Sequence, residues 1–283
     1  MQPGKSFDVV SSMKKLLFYF VIFSVFALIT FPVFWGILCS FKTFQEIFSV
    51  PIKFIPSKLT LLHYENAWFR SNIPIYFVNS LLVAVGTGVV TVCVASLAAY
   101  SLTRFPFPGI NVIARAVLFC YLLPPVLLSI PFFVMLNWTH LLNSRIGLVF
   151  GHTALSLPFV IWLFWGFFRT IPLVVEEAAK IDGASRMRIL SDIFLPLALP
   201  GIVAGFIFSF IVSWSDFLIS SVIVTAEKYK TIPLGVNALV AVSHTSWELI
   251  LPALGIATLP ILIVMIALQK YLLEGFSAPI IKG

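Results

Sequence analysis

The chain of 283 residues is 60% hydrophobic and 10% charged, with a mean hydropathy of +1.07. Soluble proteins carry roughly a quarter of their residues as charges, so this composition excludes a large soluble domain and points to a polytopic, all-α membrane protein. The net charge of +7 would suit nucleic acid, but the basic residues are scattered between apolar stretches, which excludes that partner too.

A helix crossing a bilayer needs about 20 mainly apolar residues. Six stretches qualify, at about 15–40, 76–101, 110–136, 146–168, 197–219 and 249–271. The first follows Lys14 and Lys15; it is too long for a signal-peptide core and lacks a small-residue cleavage site, so it reads as a retained span. The loop at about 41–75 holds Pro51, Pro56, Tyr64, Trp68 and Phe69, too apolar for a free linker, and is expected to form a structured cap. Prolines 32, 124, 125, 131, 158, 200, 252 and 260 punctuate the spans. In lipid such breaks persist where neighbouring helices or a cavity satisfy the freed carbonyls, so a bundle is expected. Placing the larger share of the 18 Lys and Arg residues in the cytoplasm puts both termini there.

Between the fourth and fifth spans the cytoplasmic loop 169–196 reads as two short helices around a turn. Thr170 is expected to cap the first, with Pro172 in its opening turn. Gly183 stands where a helix stops in a left-handed conformation. Ser185 caps the second helix, which is expected to reach Leu195 and close at Pro196. Val174, Val175, Ala178, Ala179 and Ile181 give the first helix an apolar, small-residue surface. On the residues alone this is either an ordinary amphipathic loop or a helix that buries itself in a partner.

Three polar or aromatic residues in the spans are candidates for a translocation pathway. Asp216 lies near the outer end of the fifth span; an ionisable group at membrane depth costs about 2.5–3.5 kcal/mol and so faces a cavity, unless it is an interfacial carboxylate capping the next turn or touching a partner. Trp214 is either a stacking surface for a sugar or an interfacial anchor. Asn79 either bonds between helices or contacts substrate. His63, His140, His152 and His244 are dispersed without a carboxylate at ligand spacing, and Cys39, Cys93 and Cys120 read as small hydrophobes, so no metal site is expected. No phosphate-cradling G-x-x-x-x-G-K-[ST] occurs, so a supply of energy from ATP has to come from another chain.

Glu177-Ala178-Ala179-x-x-Asp182-Gly183-Ala184, followed by Ile193-x-Leu195-Pro196, resembles the EAA loop of binding-protein-dependent ABC importer permeases. Leu190 departs from it, standing where many relatives have Phe. Asn79-Ser80, Ala98-Ala99-Tyr100, Arg104 to Gly109, Trp214 to Phe217, Thr231 to Gly235 and the tail Glu274 to Gly283 are similar to the MalG-like, carbohydrate-uptake branch, with Pro279-Ile280 departing. The resemblance implies a type I ABC importer permease fold and a non-catalytic subunit of a bacterial cytoplasmic (inner) membrane. No cofactor is implied in this chain, since ATP and Mg are bound by a partner ATPase. The implied partners are a second permease in a heterodimer, an ATP-binding subunit dimer and an extracytoplasmic solute-binding protein delivering an oligosaccharide, glycoside or polyol. Glu177 would make polar contacts to the ATPase, Ala178 and Ala179 would permit close packing, and Gly183 would hold the turn. The tail would reach toward the ATPase, and the last outer loop toward the binding protein. The rival reading, a secondary transporter driven by an ion gradient, would want acidic residues in several spans, and only Asp216 approaches that; a membrane enzyme would want a polar cluster.

Overall fold

The computed structural model describes residues 5–105, 108–241 and 247–277. The end of the C-terminal tail from Ala278, residues 242–246 of the last outer loop, and Pro106 and Phe107 lie outside the described residues. In chain order the α-helices are α1 (Lys5–Ser40), α2 (Phe44–Ile47), α3 (Leu62–Phe69), α4 (Ile73–Arg104), α5 (Ile110–Tyr121), α6 (Pro125–Trp138), α7 (Arg145–Phe168), α8 (Leu173–Ile181) and α9 (Arg186–Ile189). A π-turn (Leu190–Phe194) leads into α10 (Leu195–Leu197), α11 (Leu199–Ser215), α12 (Leu218–Ile223), α13 (Ile232–Ala241) and α14 (Trp247–Ser277). Every regular element among the described residues is helical.

Among the described residues, four helices are long and apolar enough to cross a membrane alone: Met13–Ser40 of α1, then α4, α7 and Trp247–Tyr271 of α14. Two further spans are broken. The stretch expected as one rod over 110–136 is α5 and α6, bent by 96°. Pro125 opens α6, and Pro124 caps it in an extended conformation at ψ 128°; a residue before proline is pushed out of the helical region, so the rod has to turn there. The span expected at 197–219 is α11 alone, set at 84° to the segment Arg186–Leu197. It ends at Ser215, because Asp216 turns extended at ψ 130° and starts α12.

Helices α4, α7 and α11 pack against one another, α14 lies on α11, α5 on α7, and α1 meets the bundle through α14. Small residues permit these approaches. A Cβ on Gly205 would sit 2.6 Å from the Phe164 ring and 2.9 Å from Val160, so α11 touches α7 backbone to ring. Hydroxyl pairs stitch the same helices across the apolar core, Thr91 to Ser156 at 3.1 Å and Thr87 to Ser213 at 3.4 Å. One apolar cluster, around Phe164, Phe168, Ile189 and Phe194, fills the end of the bundle nearest α8. Two others, around Phe210 and Trp214 and around Leu148 and Ile219, fill the opposite half.

The stretch between α1 and α4 folds over that opposite end. Lys42 is buried in it, its Nζ donating to the Lys53 carbonyl at 2.6 Å and lying 4.0 Å over the Trp35 ring. Tyr64 of α3 shares a hydrogen bond with Ser40 at 2.7 Å, and Trp68 packs edge-on against Phe77 of α4 at 5.9 Å. By contrast, the most apolar stretch of α1 is bare along its whole length.

Candidate functional site

The segment joining α7 to α11 stands at one end of the bundle. Helix α8 starts later than the sequence suggests. Pro172 is its N-cap, at φ −61° and ψ 142°, and Thr170 instead donates its hydroxyl back to the Phe167 carbonyl at the end of α7, 2.8 Å away. Proline's fixed φ suits the extended cap, and its missing N–H leaves no donor unmet there. The helix stops at Gly183, whose φ of +79° is a left-handed conformation that glycine adopts freely. The Gly183 N–H reaches the Lys180 carbonyl at 3.1 Å, and the Ala184 N–H reaches that of Ala179 at 2.9 Å. Ser185 then caps α9, accepting from the Arg188 N–H at 3.4 Å.

The second helix does not run unbroken to Leu195. A proline at 196 cannot donate to the turn before it, and the chain relaxes by widening into the π-turn, with the Leu195 N–H bonding to the Leu190 carbonyl. Pro196 falls inside the first turn of α10, where it is tolerated.

The faces of α8 divide sharply. Glu177 and Ala178 are exposed, as are Asp182 and Gly183, while Ala179 and Ala184 are half-buried against the core. Val174 and Ile181 are 70% and 86% exposed, an apolar edge on a segment beyond the spans. Glu176, one residue before the motif glutamate, is only 3% exposed. Its carboxylate lies 2.7 Å from Arg104 Nε at the end of α4 and 2.7 Å from Lys180 Nζ. Sequence reasoning passed over this residue, because Glu176 and Glu177 differ in facing rather than in chemistry. The only available signal was a helical one: Glu176 and Lys180 share a face, four residues apart.

At the opposite end, two of the three candidate pathway residues are engaged in holding the structure. Asn79 is fully buried, its Nδ2 donating to the carbonyls of Lys228 at 3.0 Å and Lys230 at 2.9 Å while its Oδ1 accepts from Arg145 Nε at 2.8 Å. One amide thus ties α4 and α7 to the outer loop. Beside it the Tyr76 hydroxyl donates to Glu227. Lys230, 2.5 Å away, and that hydroxyl hold the Glu227 carboxyl below the usual carboxylate range. Asn79→Ala would take the donor from the Lys228 and Lys230 carbonyls, at about 1–3 kcal/mol together because only the inner one is shielded from water, while the exposed Arg145 guanidinium turns to solvent. The expected result is a loss of about 1–3 kcal/mol in thermal unfolding of the purified protein, with faster protease cleavage between residues 226 and 231.

Asp216 does cap the next turn. Its Oδ2 accepts from the Ser220 N–H at 2.8 Å and its Oδ1 from the Ile219 N–H at 3.4 Å, at the start of α12. The same Oδ2 lies 3.1 Å from Nε2 of His152, a fully buried histidine whose Nδ1 is 2.7 Å from Ser213 Oγ. No His–carboxylate pair was expected, since these residues stand on different spans and only the packing of α7 on α11 joins them. Among the described residues no group of His, Cys, Asp and Glu could hold a metal ion. Trp214 borders a cavity. Its Nε1 donates to the Ala257 carbonyl at 3.0 Å and its ring stacks on Phe210 at 5.6 Å. The cavity, about 440 Å³, lies between α11, α13 and α14, with Ser215, Asn237 and Thr258 among its walls.

The profile of the family described as "Binding-protein-dependent transport system inner membrane component" matches residues 91–277. The chain is 33% identical over 259 residues to the diacetylchitobiose uptake system permease protein NgcG of Streptomyces coelicolor, covering 91% of this chain and 85% of that one. It is 30% identical over 256 residues to the trehalose/maltose transport system permease protein MalG of Thermococcus litoralis, covering 89% and 91%. In fold it is similar to a chain in the crystal structure of a bacterial ABC transporter that imports the acidic polysaccharide alginate, with a TM-score of 0.77, 19% identity, and coverage of 96% and 99%.

Proposed function

The chain belongs to the family of binding-protein-dependent transport system inner membrane components, and on that premise we propose that it passes a carbohydrate-type solute, delivered by an extracytoplasmic binding protein, across a bacterial cytoplasmic membrane. It is a multi-pass permease subunit of an ABC importer. An oligosaccharide, glycoside or polyol fits the family resemblance, and two of its relatives are permeases for diacetylchitobiose and for trehalose and maltose. The chain is a non-catalytic subunit; ATP and Mg are bound by a partner dimer. A second permease completes the pathway, and the bare flank of α1 leaves room for it.

The observation that carries the coupling role is the division of α8. The helix projects from the bundle, turns Glu177, Ala178 and Ile181 outward and buries Glu176 beneath. Small side chains allow a partner's groove to close on the helix, and the glycine stop fixes its end. ATP binding would draw the ATPases together, carry α8 with them and open the pathway outward; hydrolysis would return it. The tail beyond Ser277 and the outer loop near 242–246 are proposed to reach the ATPase and the binding protein. An ion-gradient mechanism would need acidic groups open to the pathway, and Asp216 is enclosed by His152, Ser220 and its own turn.

The test uses membranes containing the whole transporter. A crosslinker on Ala178→Cys should capture the ATP-binding subunit, and Glu177→Lys should reduce uptake to near background while the protein stays inserted. Normal uptake by the Glu177→Lys variant, or crosslinks that never reach an ATPase, would defeat the docking assignment.

A further inference from the structure

Glu176 takes no part in the exposed docking face, yet it is the most enclosed charge on the coupling segment. Its carboxylate meets the Arg104 guanidinium at 2.7 Å, and the Tyr100 hydroxyl stands 3.5 Å away on the same face of α4. Arg104 does more than pair. Its second terminal nitrogen donates to the Ile171 carbonyl at 2.7 Å, in the elbow between α7 and α8, and its plane lies 4.9 Å over the Phe194 ring of the π-turn. Phe194 also packs edge-on against Tyr100, at 5.0 Å. The end of α4, the elbow, α8 and the π-turn therefore converge on one guanidinium. Arg104 and Glu176 have 10% and 3% of their side chains exposed, so water and salt do little to loosen the pair.

We propose that the Glu176–Arg104 pair is the joint through which α8 moves α4, and that both are positioning residues for transport. The proposal rests on the reading that α8 docks on an ATPase. Two routes lead from α8 into the membrane. The route along the chain crosses a π-turn and an 84° bend before it reaches α11, and such breaks absorb displacement. The route through the joint enters α4, a single helix of 32 residues whose one proline sits in its first turn. Helix α4 packs on both α7 and α11 along its length. At its far end Tyr76 and Asn79 grip Glu227 and the backbone of Lys228 and Lys230. An unbroken helix held at both ends moves as a unit, so displacement at Arg104 reaches the outer loop.

The test is made in proteoliposomes with the full complex of permeases, ATPase and binding protein, supplied with whichever member of a radiolabelled set (maltose, trehalose, diacetylchitobiose, further oligosaccharides, glycosides and polyols) the binding protein retains. The readout is solute imported per ATP hydrolysed. The double variant Glu176→Leu/Arg104→Met leaves no lone buried ion, and its one orphan is the Ile171 carbonyl, so it is expected to fold and assemble with the ATPase. It is expected to hydrolyse ATP yet import about tenfold less solute per ATP. A purely structural pair predicts a wild-type ratio in this variant, and that result would overturn the proposal. Should the double variant fail to assemble, Glu176→Asp decides instead. It keeps the charge but withdraws the carboxylate by one methylene; a lowered ratio supports the joint and an unchanged one removes it. A wild-type complex that imports no sugar or polyol retained by its binding protein on ATP overturns the proposed function and the joint with it, whereas a working wild type with an indifferent double variant overturns the joint alone.

Discussion

Replacing Gly183 with asparagine, alanine and proline is expected to lower uptake in that order, down to near background for proline, with the amount of inserted protein unchanged. The backbone at Gly183 has φ +79°, and a Cβ added there would meet nothing within 4 Å. Space is therefore not the constraint; handedness is. Asparagine visits the left-handed region more readily than most residues, alanine pays about 1–2 kcal/mol to enter it, and proline is locked near −65° and cannot enter. Gly183 is exposed and its neighbour Ala184 packs at the edge of the apolar cluster, so the strain unwinds the turn that stops α8 while the packing among the spans is kept. Uptake assays paired with immunodetection in isolated membranes check the series. Wild-type uptake by the proline variant would show that the end of α8 does not need to be held.

A second large effect is expected at Asp216. Asp216→Ala should lower stability by about 2–4 kcal/mol: about 1 for the lost cap of α12 and about 1–3 for leaving His152 facing an empty site in the core. Asp216→Asn should lose much less, because its amide oxygen still accepts from the Ser220 N–H and from a protonated His152 nitrogen. The asparagine variant also separates mechanisms. A carboxylate that only holds structure tolerates the swap and uptake continues, while a proton-carrying carboxylate would fail with its fold intact. Thermal unfolding and uptake, measured on the same preparations, distinguish the two. A stable asparagine variant without uptake would revive the ion-gradient reading.

The all-helical, many-span architecture was legible because hydropathy registers directly in composition: the stretches that became α1, α4, α7 and α14 each carry enough apolar residues to cross alone. The broken spans were less so. Pro124 and Pro125 mark a break, but the sequence does not show whether the helix kinks or turns through 96°. The stop at Gly183 was readable, since few residues take its conformation. The start of α8 was misplaced by assigning the cap to Thr170, because a proline serves as N-cap and the threonine hydroxyl folds back onto α7. Which of two adjacent glutamates turns inward depends on Arg104, a residue on a different span, and no local pattern reports it. The same holds for His152 and Asp216, which meet only once α7 lies on α11. Asn79 reads on its residue type more readily as a bond between helices than as a substrate contact, but its partners, the Lys228 and Lys230 carbonyls, stand about 150 residues away and no local pattern names them.

The widened turn at Leu190–Phe194 has a bearing on how this segment tolerates change in length. A π-turn is one residue more than an α-helix needs, and each residue advances a helix by about 100° of rotation and 1.5 Å of rise. Removing one residue there would let the coil close to regular α geometry with the helix on either side kept near its present phase, because the wide turn already absorbs that residue, whereas the same deletion in a regular turn would swing everything upstream through that angle. Tolerance to a change in length is thus confined to the wide turn: losing one residue there leaves the phase of the segment nearly alone, while losing one from the regular turn of α9 resets it.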